Sequence, residues 1–260
     1  DGKPVTPYPL SDQEARLLTD SDISAIQEDF VNAAVLALES GADGIDFKHC
    51  HGYLCGAMLG PANRKRANWS WGGDTLEERT RFFRETLARM KEKAPRILYT
   101  LRLSAHEGIP GGFGSKGPDS VEEDPEHREL KAFSALAAKA GVSLLNISAG
   151  VPERSPLLVR QTNENALGFL DHQRRAKVAR EASRVPVVGS GYSYLKNGRN
   201  RLPGLDGAAK SIIGVGAKDV REGIVDFGAV VPRGAPHPGH VEFDGEAATL
   251  RPEHERQRER

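Results

Sequence analysis

The chain has 260 residues, of which 38% are hydrophobic and 28% charged, and 36 Lys and Arg balance 36 Asp and Glu. That balance gives no electrostatic case for nucleic acid or an anionic membrane surface as partner. No apolar run approaches the roughly 20 residues a membrane span needs, and no signal or transit segment is read ahead of the first helix. Two cysteines, Cys50 and Cys55, are too few for a disulfide framework and fit a reducing compartment, so a cytoplasmic location is expected.

The chain opens at Asp1 in a proline-rich run and closes in a charged stretch from Arg251 to Arg260, so both ends are expected to be those of a fragment. Residues 1–20 read as a loop. Ser21 or Asp22 is expected to cap a helix whose apolar positions Ile23, Ile26, Phe30, Ala33, Ala34 and Ala37 recur at helical spacing, with Gly41 as its stop. A strand follows over 44–48, then a loop carrying Arg64-Lys65-Arg66, Trp69 and Trp71. The basic run is expected to be solvated or to touch a neighbouring subunit, and the tryptophans to cover a surface or shape a rim.

A helix over 75–93 ends at Pro95 and leads to a strand over 97–103. Residues 104–120 are rich in Gly and Pro and read as a surface loop. A helix over 125–139 precedes a strand over 143–147, and a helix over 171–181 precedes a short buried strand over 185–188 ending in Gly189-Ser190-Gly191. A weaker helix over 206–213 and a strand over 223–227 complete the series. Strands alternating with helices predict parallel βαβ units, an α/β fold.

The first strand ends in a concentration of ionisable groups: Lys48, His49, His51 and Tyr53. In a βα-barrel the carboxyl ends of the strands face the active site, so this cluster reads as catalytic. His49-Cys50-His51 with Cys55 could also be read as metal ligands. Ligands that close on one strand point to opposite faces, however, and no metal is expected. A structural alternative for Lys48 is an ion pair with Asp46 or Glu107. For Arg102, flanked by Leu101 and Leu103, the alternative is a buried ion pair.

The segment I-D-F-K-H-C-H-G-Y-L, from Ile45 to Leu54, resembles the strand-4 pattern V-E-I-H-x-x-[HN]-G-Y-L of the Old Yellow Enzyme family, the FMN-dependent NADH:flavin oxidoreductases, with Lys48 in place of the first histidine. Gly60-Pro61-Ala62-Asn63-Arg64-Lys65-Arg66, Trp71-Gly72-Gly73 and Glu77-Glu78-Arg79-Thr80-Arg81-Phe82 resemble the segment that follows it in the family. Leu101-Arg102-Leu103-Ser104 resembles strand 5, and Pro186-Val187-Val188-Gly189-Ser190-Gly191 resembles strand 7. The four stretches occur in family order and cover roughly residues 10–227.

The resemblance implies a (β/α)8 TIM barrel, incomplete here, with strands 4–8 present and strands 1–3 missing. The family's G-R pair after strand 8 has no match beyond Gly228. The implied organisation is an N-terminal loop over 1–20, the partial barrel over 21–231, and a divergent, disordered tail over 232–260. It implies FMN as cofactor and NAD(P)H as reductant, with hydride passed through the flavin to an activated alkene such as an α,β-unsaturated carbonyl compound. Carried over by position, Lys48 and His51 would hold the substrate's carbonyl oxygen and stabilise the developing enolate. Tyr53 would protonate the neighbouring carbon. Arg102 would contact the flavin ring, and Gly189, Ser190 and Gly191 would offer backbone N–H groups to the phosphate.

Partners are expected to be a small-molecule substrate, with no nucleic acid and no membrane, and a homo-oligomer is possible. Two other readings stand beside the ene-reductase. One is a flavin-dependent amine dehydrogenase or demethylase, prompted by Lys48. The other is an inactive barrel fragment that exposes strand edges and an apolar interior.

Overall fold

Among the described residues, five parallel strands lie side by side in the order in which the chain makes them, each joined to the next by a helical crossover. The structure is a computed structural model that describes residues 18–65, 67, 69–159, 166–192 and 212–228. The strands are β1 (Gly44–His49), β2 (Leu98–Ser104), β3 (Leu144–Ser148), β4 (Val187–Gly189) and β5 (Phe227–Gly228). The α/β class and the parallel sheet agree with the sequence, strand for strand. Most of the loop over 1–20, the first part of the helix over 206–213, Arg66 and the tail over 232–260 lie outside the described residues.

Helix α1 (Asp20–Glu39) leads into β1. Its start lies ahead of the expected cap. Thr19 is the N-cap, its hydroxyl accepting the Asp22 N–H while the Asp22 carboxylate accepts the Thr19 N–H at 2.7 Å. That reciprocal pair outcompetes Ser21, which has no acidic residue three positions on. The helix expected over 75–93 is two: α3 (Leu76–Arg79) and α4 (Arg81–Lys93), separated by a turn at Thr80. Two further helices, α2 (Leu54–Leu59) and α6 (Pro156–Val159), are too short to leave a helical period in the sequence. Helices α5 (Arg128–Ala140), α7 (Ala166–Ser183) and α8 (Ile212–Arg221) supply the remaining crossovers. Among the described residues no helix is long and apolar enough to cross a membrane.

Side chains alternate across the sheet, and the two faces differ in kind. Phe47, Leu101, Leu103, Leu145, Ile147 and Val187 are buried in one core with Phe82, Phe83, Leu87, Met90 and Phe133 of the helix layer. Phe83 is fully buried at its centre, with Phe47, His49 and Phe133 rings 5.9, 5.3 and 5.1 Å away. Asp46, Lys48, Thr100, Arg102, Asn146 and Val188 occupy the opposite face, where none is fully buried.

The second family-like stretch proves to be scaffolding. The Asn63 amide donates to the carbonyls of Met58 and Trp71 and accepts from the Trp69 indole. A Cβ at Gly72 would lie 2.5 Å from the Arg64 carbonyl, so only glycine lets the loop close on itself. Arg79 is buried, donating to the carbonyls of Leu59 and Asp74 and to the Glu129 carboxylate. Trp71 is buried beneath the Arg81 guanidinium, 4.5 Å from its ring. Arg64 pairs with Asp119 at the surface.

The run over 104–120 is not a surface loop. Ala105, His106, Glu107, Ile109 and Phe113 are buried, and Phe113 packs on Phe133. Its glycines let the backbone fold under the sheet end rather than outward. The core defines a stability prediction. Phe83→Ala should lower unfolding free energy by about 3–5 kcal/mol in denaturant titration, and a change under about 1 kcal/mol would remove Phe83 from the centre of the core.

Candidate functional site at the strand ends

Lys48, Arg102 and Asn146 stand in one row, because Lys48 pairs in register with Arg102, and Arg102 with Asn146. One step nearer the carboxyl ends, Ser104 pairs with Ser148. Toward its carboxyl end the open face of the sheet therefore carries two cations, an amide and two hydroxyls, with Asp46 and Thr100 one step behind them.

Beyond β1 the chain turns sharply through two left-handed residues, His51 at φ 64° and Gly52 at φ 71°. Such a conformation is strained for histidine and must be held by its surroundings. The neighbouring strand end holds it. The His51 N–H donates to Ser104 Oγ at 3.0 Å, and the Gly52 N–H donates to Glu107 Oε1 at 2.9 Å. His51 Nε2 lies 3.0 Å from Ser148 Oγ, which fixes the ring. Tyr53 then begins α2 as its N-cap.

The turn brings the expected residues together. Lys48 Nζ sits over the Tyr53 ring, 3.7 Å from its centroid, a cation–π contact. Burial, with the Arg102 and Lys48 cations nearby, pushes the His51 imidazole down to about 4, so it is neutral at pH 7. His49, two residues before His51, faces the other way. It is buried against Phe47 and Phe83, donates from Nδ1 to the Phe47 carbonyl at 3.2 Å, and is held by burial at about 4. Cys50 and Cys55 are buried, and their thiols are pushed up to about 11 and about 12.

The alternative partners of Lys48 are engaged elsewhere. Asp46 accepts the Thr100 hydroxyl at 2.8 Å, and Glu107 serves Gly52. Among the described residues neither Lys48 nor Arg102 is in an ion pair. Arg102 Nε and Asn146 Oδ1 are buried without a hydrogen-bond partner there. A planar ring with donors and acceptors along one edge, as a flavin has, matches that pair of orphaned atoms. The residues of this row therefore fit the ring of FMN.

The Gly189-Ser190-Gly191 turn is less open than its glycines suggest. Ser190 Oγ donates to the Ile147 carbonyl at 2.6 Å, and the Ser190 carbonyl accepts from Gln173 Nε2. Only backbone N–H groups of this turn remain for an anion. The turn begins at the last residue of β4 and lies near the end of the described stretch 166–192.

Three supporting side chains were not legible as such. Ser104 and Ser148 are ordinary strand-end serines until register places them side by side. Glu107 is a buried carboxyl beneath a glycine N–H, where the sequence offered it only as a partner for Lys48. Asn146 could have been found from the inward alternation of β3.

The sequence profile described as the NADH:flavin oxidoreductase / NADH oxidase family matches residues 5–192. The chain belongs to this family. Among family relatives, an NADH oxidase of Thermoanaerobacter brockii is 33% identical over 162 residues, covering 60% of this chain and 23% of the relative. An NADPH dehydrogenase of Clostridium acetobutylicum is 35% identical over 117 residues, covering 44% of this chain and 34% of the relative. Histamine dehydrogenase from Rhizobium sp. 4-9 superposes with a TM-score of 0.59 and 26% identity, covering 88% of this chain and 30% of that one. The chain thus spans about a quarter to a third of the length of these family members.

Glu107 yields a pH prediction. Burial pushes its carboxyl up to about 7, against the bonds from the Gly52 and Phe113 backbone, from an ordinary 4.5. A folded-state value above the unfolded one means the fold favours the neutral acid. Stability is then full below about pH 4.5 and falls as pH rises toward 7, levelling off above it. Glu107→Gln keeps the acceptor for Gly52 and cannot ionise. It should match the wild type at low pH and exceed it above pH 7 by on the order of 3 kcal/mol, read by denaturant unfolding across pH. Parallel profiles for the two proteins would contradict it.

Proposed function

We propose that this protein is a flavin-dependent oxidoreductase that takes reducing equivalents from NAD(P)H and delivers them to an activated alkene such as an α,β-unsaturated carbonyl compound. The five strands are then an arc of a (β/α)8 barrel whose inner face is the Lys48–Arg102–Asn146 row. The observation that carries the reading is that register and the pinned turn gather Lys48, His51, Tyr53 and Arg102 at one strand end.

FMN, when bound, would supply the hydride chemistry. Arg102 would hold the ring's pyrimidine edge, where a permanent cation favours the anionic reduced form. Gly189, Ser190 and Gly191 would offer backbone N–H groups to the phosphate. His51 would present Nδ1–H to the substrate oxygen, with the Ser148 hydroxyl donating to Nε2 and so fixing that tautomer. Lys48 would share the same oxygen, and the two donors would stabilise charge as it develops there. Tyr53 would give its phenolic proton to the carbon beside the carbonyl. Amine oxidation is the second reading, favoured by the likeness to histamine dehydrogenase. Two cations side by side in the row, Lys48 and Arg102, argue against a protonated amine as substrate.

Anaerobic NAD(P)H should bleach the visible flavin absorption of the purified protein, and an enone should restore it. Tyr53→Phe should leave the bleaching rate within about threefold and slow the return by about 100-fold or more. Absence of bleaching with either nicotinamide would defeat the proposal. Equal slowing of both phases would remove Tyr53 as the proton donor.

A further inference from the structure

We propose that Asp219 and Tyr192 are positioning residues for the flavin phosphate: Asp219 holds a proton, and through Tyr192 and Gln173 that proton sets the shape of the Gly189-Ser190-Gly191 turn. This rests on the flavin reading above and adds to it the side chains that stand behind the turn.

The three side chains come from separate segments and meet away from water. Gln173 lies on α7, Asp219 on α8, and Tyr192 directly follows the turn. Tyr192 is fully buried, and Gln173 and Asp219 nearly so. The Tyr192 ring meets Phe169 edge to face, with 5.2 Å between centroids. A Cβ at Gly189 would lie 3.1 Å from both the Tyr192 hydroxyl and Gln173 Oε1, so glycine at the end of β4 leaves room for the pair beneath the turn.

The bonds fix where the protons are. The Ser190 carbonyl can only accept, so Gln173 gives it Nε2, at 3.2 Å, and turns Oε1 toward Tyr192. The Tyr192 hydroxyl has one proton, and Oε1, 2.9 Å away, can only accept it. Asp219 Oδ2 lies 2.8 Å from the same hydroxyl. Were Asp219 ionised, two acceptors would compete for one proton and a buried oxygen would go unsatisfied. A protonated Asp219 donates to the hydroxyl oxygen instead, and every bond in the chain is made. The surroundings favour that form. Burial, with the Glu222 carboxylate nearby, pushes Asp219 above its ordinary 3.8, against the Tyr192 bond and the Lys218 ammonium. On the α7 side the Arg180 guanidinium is taken by Asp226 and the Gly223 carbonyl.

The turn is thereby gripped at Ser190 from both sides, its hydroxyl on the Ile147 carbonyl and its carbonyl on Gln173. Backbone N–H groups bind a phosphate best when they are already aimed. An ionised Asp219 would draw the Tyr192 proton away from Gln173 and slacken that grip. Affinity for the phosphate should therefore fall as pH rises through the Asp219 value.

Fluorescence titration of the flavin-free protein with FMN and with riboflavin, which lacks the phosphate, isolates the turn. Tyr192→Phe should weaken FMN by about tenfold and riboflavin by less than about twofold. Asp219→Asn supplies an N–H donor that cannot ionise. It should bind FMN within about threefold of the wild type at low pH and keep that affinity at high pH, where the wild type loses about tenfold. The second ionisation of the phosphate itself is common to both proteins and cancels in the comparison. Without any flavin, infrared spectroscopy should show a protonated-carboxyl C=O band that Asp219→Asn lacks. Equal losses of FMN and riboflavin in Tyr192→Phe, superimposable pH profiles for wild type and Asp219→Asn, or absence of that band would each overturn the proposal. Failure of NAD(P)H to bleach the flavin would defeat the functional reading, while these affinities and the band still decide the role of Asp219.

Discussion

The period-two alternation of β-strands governs this molecule. In five parallel strands held in register, one residue of each pair must join the helix layer and the other must not. Phe47, Leu101, Leu145 and Val187 take the first role and are buried. Lys48, Arg102 and Asn146 take the second, and register alone brings them into a row. Shifting β1 by one residue would send an ammonium into the aromatic core around Phe83, which no partner there could satisfy. The same packing that stabilises the fold therefore specifies where the polar groups stand.

Alternation ends where the strand ends, and a second device takes over. His51 and Gly52 leave the strand in left-handed conformations, and their N–H groups are caught by Ser104 and Glu107 of the adjoining strand and its loop. The cost of this turn is met by neighbours whose own positions depend on the sheet. Its effect is to swing Tyr53 back over Lys48 rather than onward along the strand axis. A buried Glu107 and a neutral His51 both follow from closing this region away from water.

Much of this was legible in the sequence. The strand order and the parallel class follow from alternating apolar patterns, and the Lys48-to-Tyr53 cluster stood out as a run of ionisable groups at a strand end. What was hidden depends on contacts between segments distant in sequence. The run over 104–120 looks like a solvent loop because its glycines and prolines mark turns, but those turns fold beneath the sheet, where Phe113 meets Phe133. The Thr19 cap is hidden because Ser21 lies nearer the apolar period. Ser104, Ser148 and Glu107 have no local signature, since their roles are set by residues 53, 97 and 55 positions away. The Asn63, Gly72 and Arg79 stretch read as part of a family pattern, and in the structure its hydrogen bonds brace the loop against α2 and α3.

The proposed seat of a flavin is the Lys48–Arg102–Asn146 row, and a crystal structure of the protein saturated with FMN tests it. The flavin ring should lie on this row, with the Arg102 guanidinium at its pyrimidine edge and His51 and Tyr53 beside its exposed face. An FMN bound away from the row, or an Arg102 turned into an ion pair with a carboxylate, would contradict it.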